Sequence, residues 1–133
     1  MNEQKSVGKA AGSKGLILLA DDEKMMQELA RELLEGHGYR VLLAGDGAEA
    51  VALYQQYSHD IDLVILDLLM PHLDGGQAYT EMKKINKDVR AFFCTGYSPQ
   101  DVIGTAEKPL RAVQKPFRTD EFMHTIQEVL GQV

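Results

Sequence analysis

Short apolar runs alternate with stretches of helical periodicity along most of this chain. The run Leu63–Leu66 is apolar at every position, as expected for a strand covered by helices on both faces. Five segments of this kind predict strands: Gly15–Ala20, Arg40–Ala44, Asp62–Asp67, Val89–Thr95 and Leu110–Lys115. Strands that alternate with helices predict an α/β fold with a parallel sheet and right-handed crossovers.

Apolar residues three and four positions apart predict the helices between these strands. The expected buried faces are Met26, Leu29, Ala30, Leu33 and Leu34 in the first helix; Ala50, Val51 and Tyr54 in the second; Ala78, Tyr79, Met82 and Ile85 in the third; and Phe122, Ile126, Val129 and Leu130 in the last. The segment Pro99–Lys108 predicts a short fourth helix, because Gly104 and Pro109 limit its length. We assign Met25, Met26 and Met70 to packing rather than to a cofactor pocket.

Residues 1–14 are polar and lack periodicity, so they predict a flexible tail before one domain at 15–133. The formal net charge of −6 argues against direct nucleic-acid binding. No apolar run is long enough for membrane insertion, and no signal-peptide pattern begins the chain. A single cysteine, Cys94, excludes an internal disulfide and fits a reducing compartment. We therefore expect a soluble, cytoplasmic, single-domain protein.

Three of the predicted strands end in charged residues. Asp21 and Asp22 follow the first strand, Asp67 ends the third, and Lys115 ends the fifth. In an open α/β sheet, functional groups collect at the carboxyl ends of the strands. Carboxylates and an ammonium group placed together there predict a site for a divalent cation and a phosphoryl group, and Mg²⁺ suits such oxygen ligands.

Only the first acidic pair has a ready structural interpretation. Asp21-Asp22 could be a helix N-cap, since aspartate favours that position. Asp67 is harder to explain structurally, because a buried carboxylate is costly unless it is paired or binds a metal. It could instead act as a nucleophile, with Thr95 as hydroxyl donor. Lys108 competes with Lys115, but it lies only thirteen positions after Thr95, too few for both a helix and a strand.

Five motifs occur in an order and spacing that resemble the response-regulator receiver domain. They are Asp21-Asp22-Glu23, Leu66-Asp67-Leu68-Leu69-Met70-Pro71, Asp74-Gly75, Thr95-Gly96 and Lys115-Pro116-Phe117. The segment Leu110–Phe117 also resembles receivers attached to hybrid sensor kinases. The resemblance implies a doubly wound, five-stranded parallel sheet of order 2-1-3-4-5, the flavodoxin-like (CheY-like) arrangement.

The resemblance also implies a role for each residue of the site. Asp67 would accept a phosphoryl group from a phosphohistidine on a sensor histidine kinase or a histidine phosphotransfer protein, so the chain is not an enzyme beyond its own phosphorylation and dephosphorylation. The implied ligands of Mg²⁺, with Mn²⁺ as an alternative, are Asp22, Asp67 and the main-chain carbonyl of Leu69, with Asp21 acting through metal-bound water. The implied contacts to phosphoryl oxygens are Thr95, Lys115 and the main chain near Gly96.

The chain departs from the family pattern at three positions. Ala112 stands where relatives usually have an aromatic residue that couples to the threonine, so this chain lacks the residue that the usual coupling needs. Bulky Leu69 and Tyr97 flank the implied site, and our hypothesis is that they hinder an attacking water and prolong the phosphorylated state. Two alternatives remain: a pseudo-receiver that binds proteins without phosphorylation, and an aspartyl phosphatase, which would need an aspartate where Leu69 stands.

Overall fold

The computed structural model describes residues 13–96 and 111–131. Along these residues the elements are β1 (Leu16–Ala20), α1 (Lys24–Gly36), β2 (Arg40–Ala44), α2 (Gly47–Tyr57), β3 (Ile61–Leu66), α3 (Gly75–Ile85), β4 (Ala91–Thr95), β5 (Ala112–Gln114) and α4 (Thr119–Val129). The strands are parallel, in the order β2-β1-β3-β4-β5. This order confirms the predicted doubly wound α/β fold.

Two predicted segments lie outside the described residues. They are the short helix at Pro99–Lys108 and all but the last two residues of the tail at 1–14. Among the described strands, β2 has the predicted bounds, whereas β4 begins two residues later than predicted. The reason is a turn, in which the amide of Val89 donates to the carbonyl of Asn86 (3.1 Å). No helix in the described part of the chain has the length and apolarity needed to cross a membrane.

The sheet separates two apolar cores. Leu16, Leu18 and Ala20 of β1 point to a cluster that includes residues of α2 and α3. Ile17 and Leu19 point to the opposite cluster, which includes residues of α1 and α4. Because successive side chains of a strand point to opposite faces, a central strand must be apolar throughout to serve both cores. This is why the central strands appear in the sequence as unbroken apolar runs.

The predicted buried face of α1 is partly wrong. Ala30 and Leu34 are buried, but Leu29 is 56% exposed. At about 100° per residue, Leu29 lies about 120° from the centre of the face that Ala30 and Leu34 define. Met25, which we assigned to packing, is 80% exposed, whereas Met70 is buried as expected. The first turns of α1 therefore carry apolar side chains on the surface.

Candidate metal and phosphoryl-binding site

The sheet itself aligns the charged residues at one edge. The ladder of hydrogen bonds continues one residue past the strands: the amide of Asp67 donates to the carbonyl of Ala20 (2.9 Å). In the same way, the amide of Lys115 donates to the carbonyl of Thr95 (2.7 Å). Asp21 follows Ala20 directly, so it leaves the sheet beside Asp67. The order of the strands thus brings distant parts of the sequence to one place.

Lys115 joins the two buried carboxylates of the site. Its Nζ donates to Oδ2 of Asp21 at 2.6 Å and to Oδ2 of Asp67 at 3.3 Å. The side chains are 15% exposed for Lys115, 4% for Asp21 and 11% for Asp67, so the three charges sit in a largely water-excluded pocket. The peptide bond between Lys115 and Pro116 is cis.

Asp21 is held from several directions. Besides the bond from Lys115 to Oδ2, its Oδ1 accepts from the amide of Glu23 (2.9 Å), and its carbonyl accepts from Nε2 of Gln27 (2.6 Å). The N-cap of α1 is Glu23, without a side-chain cap, so the interpretation of Asp21-Asp22 as the N-cap is wrong. Both carboxylate oxygens of Asp21 are engaged within the protein, which leaves it little freedom to rotate.

Three carboxylates form a group with the geometry of a cation site. One oxygen each from Asp21, Asp22 and Asp67 lies within 4.8 Å of the others, and Asp22 is the exposed member. Carboxylate oxygens at this spacing repel each other, and a hard divalent cation relieves that repulsion. Mg²⁺ keeps several of its waters and takes one or two carboxylates, so a group open to solvent through Asp22 fits it.

The pocket perturbs the acid–base properties of its members. Burial raises the pKa of Asp67, and the charge of nearby Lys115 opposes this rise without cancelling it. Burial alone would lower the pKa of Lys115, but its hydrogen bond to Asp21 and the charge of Asp67 outweigh burial, so its pKa is raised. Lys115 therefore remains a cation. Asp67 lacks the water that would normally stabilise its negative charge.

The structure describes most of the other residues that the sequence singled out. Thr95 ends β4 and is buried, and Gly96 follows it at the surface. Leu69, two residues beyond Asp67, is 54% exposed. Ala112 begins β5 and packs partly buried against the core on the side of α2 and α3. Tyr97 and the competing Lys108 lie outside the described residues.

Sequence reasoning missed two residues that shape the pocket. Gln27 holds the carbonyl of Asp21, and nothing in its spacing distinguishes it from an exposed helical residue. Gly75 packs so closely on Asp67 that a Cβ there would lie 2.3 Å from the carbonyl oxygen of Asp67. The Asp74-Gly75 motif is the signal that could have revealed this contact.

Comparison with known proteins places this site in a family. The family model for the response regulator receiver domain matches residues 17–127. The chain belongs to the response-regulator receiver family. It is 36% identical over 122 residues to the chemotaxis protein CheY of Halobacterium salinarum, covering 86% of this chain and 95% of that protein. Receiver domains are signalling domains rather than conventional enzymes, and they bind Mg²⁺ at an acidic cluster of the kind described above.

Two further relatives bear on the kind of receiver domain. The sensor kinase CckA of Brucella abortus is 29% identical over 133 residues, which span 96% of this chain but 14% of the kinase. The solved structure of the response regulator TrrA from Thermotoga maritima, in complex with Mg²⁺ and BeF, is 33% identical with a TM-score of 0.72, covering 86% of this chain and 97% of TrrA. The receiver domain is thus similar to both stand-alone regulators and a kinase-attached receiver.

Proposed function

We propose that this receiver domain accepts a phosphoryl group on Asp67 and signals in the cytoplasm through altered protein–protein contacts. The donor is a phosphohistidine on a sensor histidine kinase or a histidine phosphotransfer protein. The observation that carries this proposal is the pocket itself: Asp67 is buried against Lys115, next to the carboxylates of Asp21 and Asp22.

The contacts of Asp67 suit a nucleophile. Its Oδ2 faces Lys115, whereas no described residue donates a hydrogen bond to its Oδ1. This oxygen would attack the phosphorus as the phosphorus–nitrogen bond of the phosphohistidine breaks, and the imidazole nitrogen would keep the bonding electron pair. Burial leaves the carboxylate poorly solvated, which favours attack once a donor is bound.

Positive charge and hydrogen-bond donors around Asp67 would stabilise the transferred group. Catalysis of phosphoryl transfer is mostly positioning and charge stabilisation. Lys115 would exchange its bonds to the carboxylates for bonds to phosphoryl oxygens, while the Thr95 hydroxyl and the amide near Gly96 would donate as well. When bound, Mg²⁺ neutralises the negative charge that builds up between carboxylates and phosphoryl oxygens.

The ligands of that cation would be Asp22, Asp67 and the main-chain carbonyl of Leu69, with Mn²⁺ as a substitute. Asp21 would act through a metal-bound water, because the amide of Glu23 holds its Oδ1, and Lys115 holds its Oδ2 until the phosphoryl group arrives. In this arrangement the exposed Asp22 would bind the cation directly, and the buried Asp21 would support it through water.

Beryllofluoride, a phosphoryl mimic, tests the proposal without a cognate kinase. With Mg²⁺ present, we expect a bound fluorine NMR signal and shifts of the amides of Asp67 and Lys115. Asp67→Asn should abolish both, whereas Asp60→Asn, a matched change in the turn before β3, should leave them intact. Failure of the wild type to bind, or equal binding by Asp67→Asn, would support the pseudo-receiver alternative.

A further inference from the structure

The loop between Asp67 and α3 contains a strained residue. His72 has a positive φ of 70°, a conformation that glycine adopts freely and that other residues adopt at a cost. On either side of Leu69, Leu68 and Met70 are buried, so the loop is anchored to the core near the acceptor. His72 itself is mostly exposed, so core packing does not explain why it keeps this conformation.

A carboxylate from a different element holds His72 in place. Nδ1 of His72 lies 2.9 Å from Oδ2 of Asp46, the N-cap residue of α2. The other oxygen of the same carboxylate, Oδ1, accepts from the amide of Glu49 at 2.7 Å. Asp46 therefore uses one oxygen to cap its own helix and the other to hold the loop. These two bonds lower the pKa of Asp46, the helix amide contributing most.

Gly47 and Leu73, the residues that follow Asp46 and His72, pack α2 against the same loop. A Cβ added to Gly47 would lie 1.9 Å from the carbonyl oxygen of Leu73, so the backbone of α2 touches the backbone of the loop. Asp46 and Gly47 thus face His72 and Leu73 as two consecutive contacts. On its other side the loop is fixed to α3, where the amide of Gly75 donates to the carbonyl of Leu68 (2.8 Å).

We propose that Asp46 is a positioning residue for the cation site, acting through His72 on the loop that carries the main-chain carbonyl of Leu69. The inference rests on the proposed function, in which that carbonyl is a ligand. A carbonyl ligand is useful only if its loop is held in one conformation, and residues that orient metal ligands typically contribute tenfold to a hundredfold to affinity. Asp46 acts one step further away, so we expect an effect of about fivefold, or about 1 kcal/mol.

The test is Mn²⁺ affinity measured by electron paramagnetic resonance, together with thermal unfolding of the metal-free protein. Asp46→Ser keeps one oxygen for the helix cap and removes the second oxygen, which contacts His72. His72→Gly removes the imidazole and also relieves the strain of the positive φ. Glu81→Gln is the matched control, because it also removes one negative charge and breaks the exposed Lys84–Glu81 pair on α3.

The proposal predicts that Asp46→Ser and His72→Gly each weaken Mn²⁺ binding about fivefold, whereas Glu81→Gln binds as the wild type does. Since both changes remove the same contact, the double variant should bind no more weakly than His72→Gly. A purely structural role predicts instead that His72→Gly keeps full affinity, because it removes strain.

The remaining outcomes separate the two proposals. Wild-type affinity in both variants overturns the positioning role and leaves the proposed function standing. Failure of the wild type to bind Mn²⁺ overturns the cation site, and the positioning role with it. If the loss of Mn²⁺ affinity is proportional to the decrease in melting temperature across all variants, the variants act through general stability. The positioning role is then wrong.

Discussion

Replacement of Gly47 by alanine should destabilise the fold, because the first residue of α2 has no room for a side chain. The added Cβ would lie 1.9 Å from the carbonyl oxygen of Leu73 and 2.7 Å from its carbonyl carbon. These are backbone atoms, which cannot rotate away as the end of a flexible side chain can. Ordinary contact begins near 3.4 Å, so α2 or the loop must move by about 1.5 Å.

The expected loss in the free energy of unfolding is about 2 kcal/mol. Overpacking typically costs about 1–3 kcal/mol, and a clash with backbone places Gly47→Ala near the upper value. The higher helix propensity of alanine offsets about 1 kcal/mol of this cost. Gly36→Ala is the matched control, since a Cβ at this position in α1 meets nothing within 4 Å. The control should therefore be neutral or stabilising by up to about 1 kcal/mol.

Urea unfolding followed by circular dichroism measures both variants, and thermal melting provides a second reading. Each kcal/mol corresponds to about 3–5 °C in Tm for a domain of this size, so the two variants should differ by about 10 °C. If Gly47→Ala is as stable as Gly36→Ala, then α2 and the loop after Asp67 do not pack as closely as described.

Three further predictions concern the cation site, the buried thiol of Cys94 and the lifetime of the acyl phosphate. Mg²⁺ at ten times its Kd should raise the free energy of unfolding by about 1.4 kcal/mol, and Asp22→Asn should reduce this gain; equal melting of the wild type in Mg²⁺ and in chelator would contradict the cation site. Burial raises the pKa of Cys94 from 9.0 to about 12, so at pH 8 iodoacetamide should alkylate it about a thousandfold more slowly in the native protein than in urea, and equal rates would show an open thiol. Leu69→Asn should speed the loss of phosphate severalfold, because Leu69 then no longer shields the acyl phosphate from water; an unchanged rate in Mg²⁺ buffer would refute this.

Much of the fold could be predicted because one physical signal dominates it. A strand buried on both faces must be apolar throughout, so β1 and β3 stand out in the sequence. Charged residues directly after such strands are equally visible, which is why Asp21, Asp67 and Lys115 could be grouped before any coordinates. Their proximity follows from the order of the strands, which the family resemblance implied.

The errors and omissions arise where tertiary contacts decide the outcome. Leu29 has the spacing of a buried residue, but within residues 13–96 and 111–131 no element covers its side of α1 closely enough to bury it. The contact between Asp46 and His72 joins two turns that are 26 residues apart, and neither turn contains a pattern that points to the other. Such contacts depend on where the sheet places the loops. The periodicity of apolar residues carries no information about them.

The central claim is that Asp67 carries the phosphoryl group. The most direct measurement is incubation with acetyl phosphate and Mg²⁺, borohydride trapping of the acyl phosphate, and peptide mapping by mass spectrometry. We expect one modified residue, Asp67, with labelling lost in Asp67→Asn and in chelator. Labelling at another residue would contradict it, as would no labelling of the wild type by either acetyl phosphate or a phosphorylated histidine kinase.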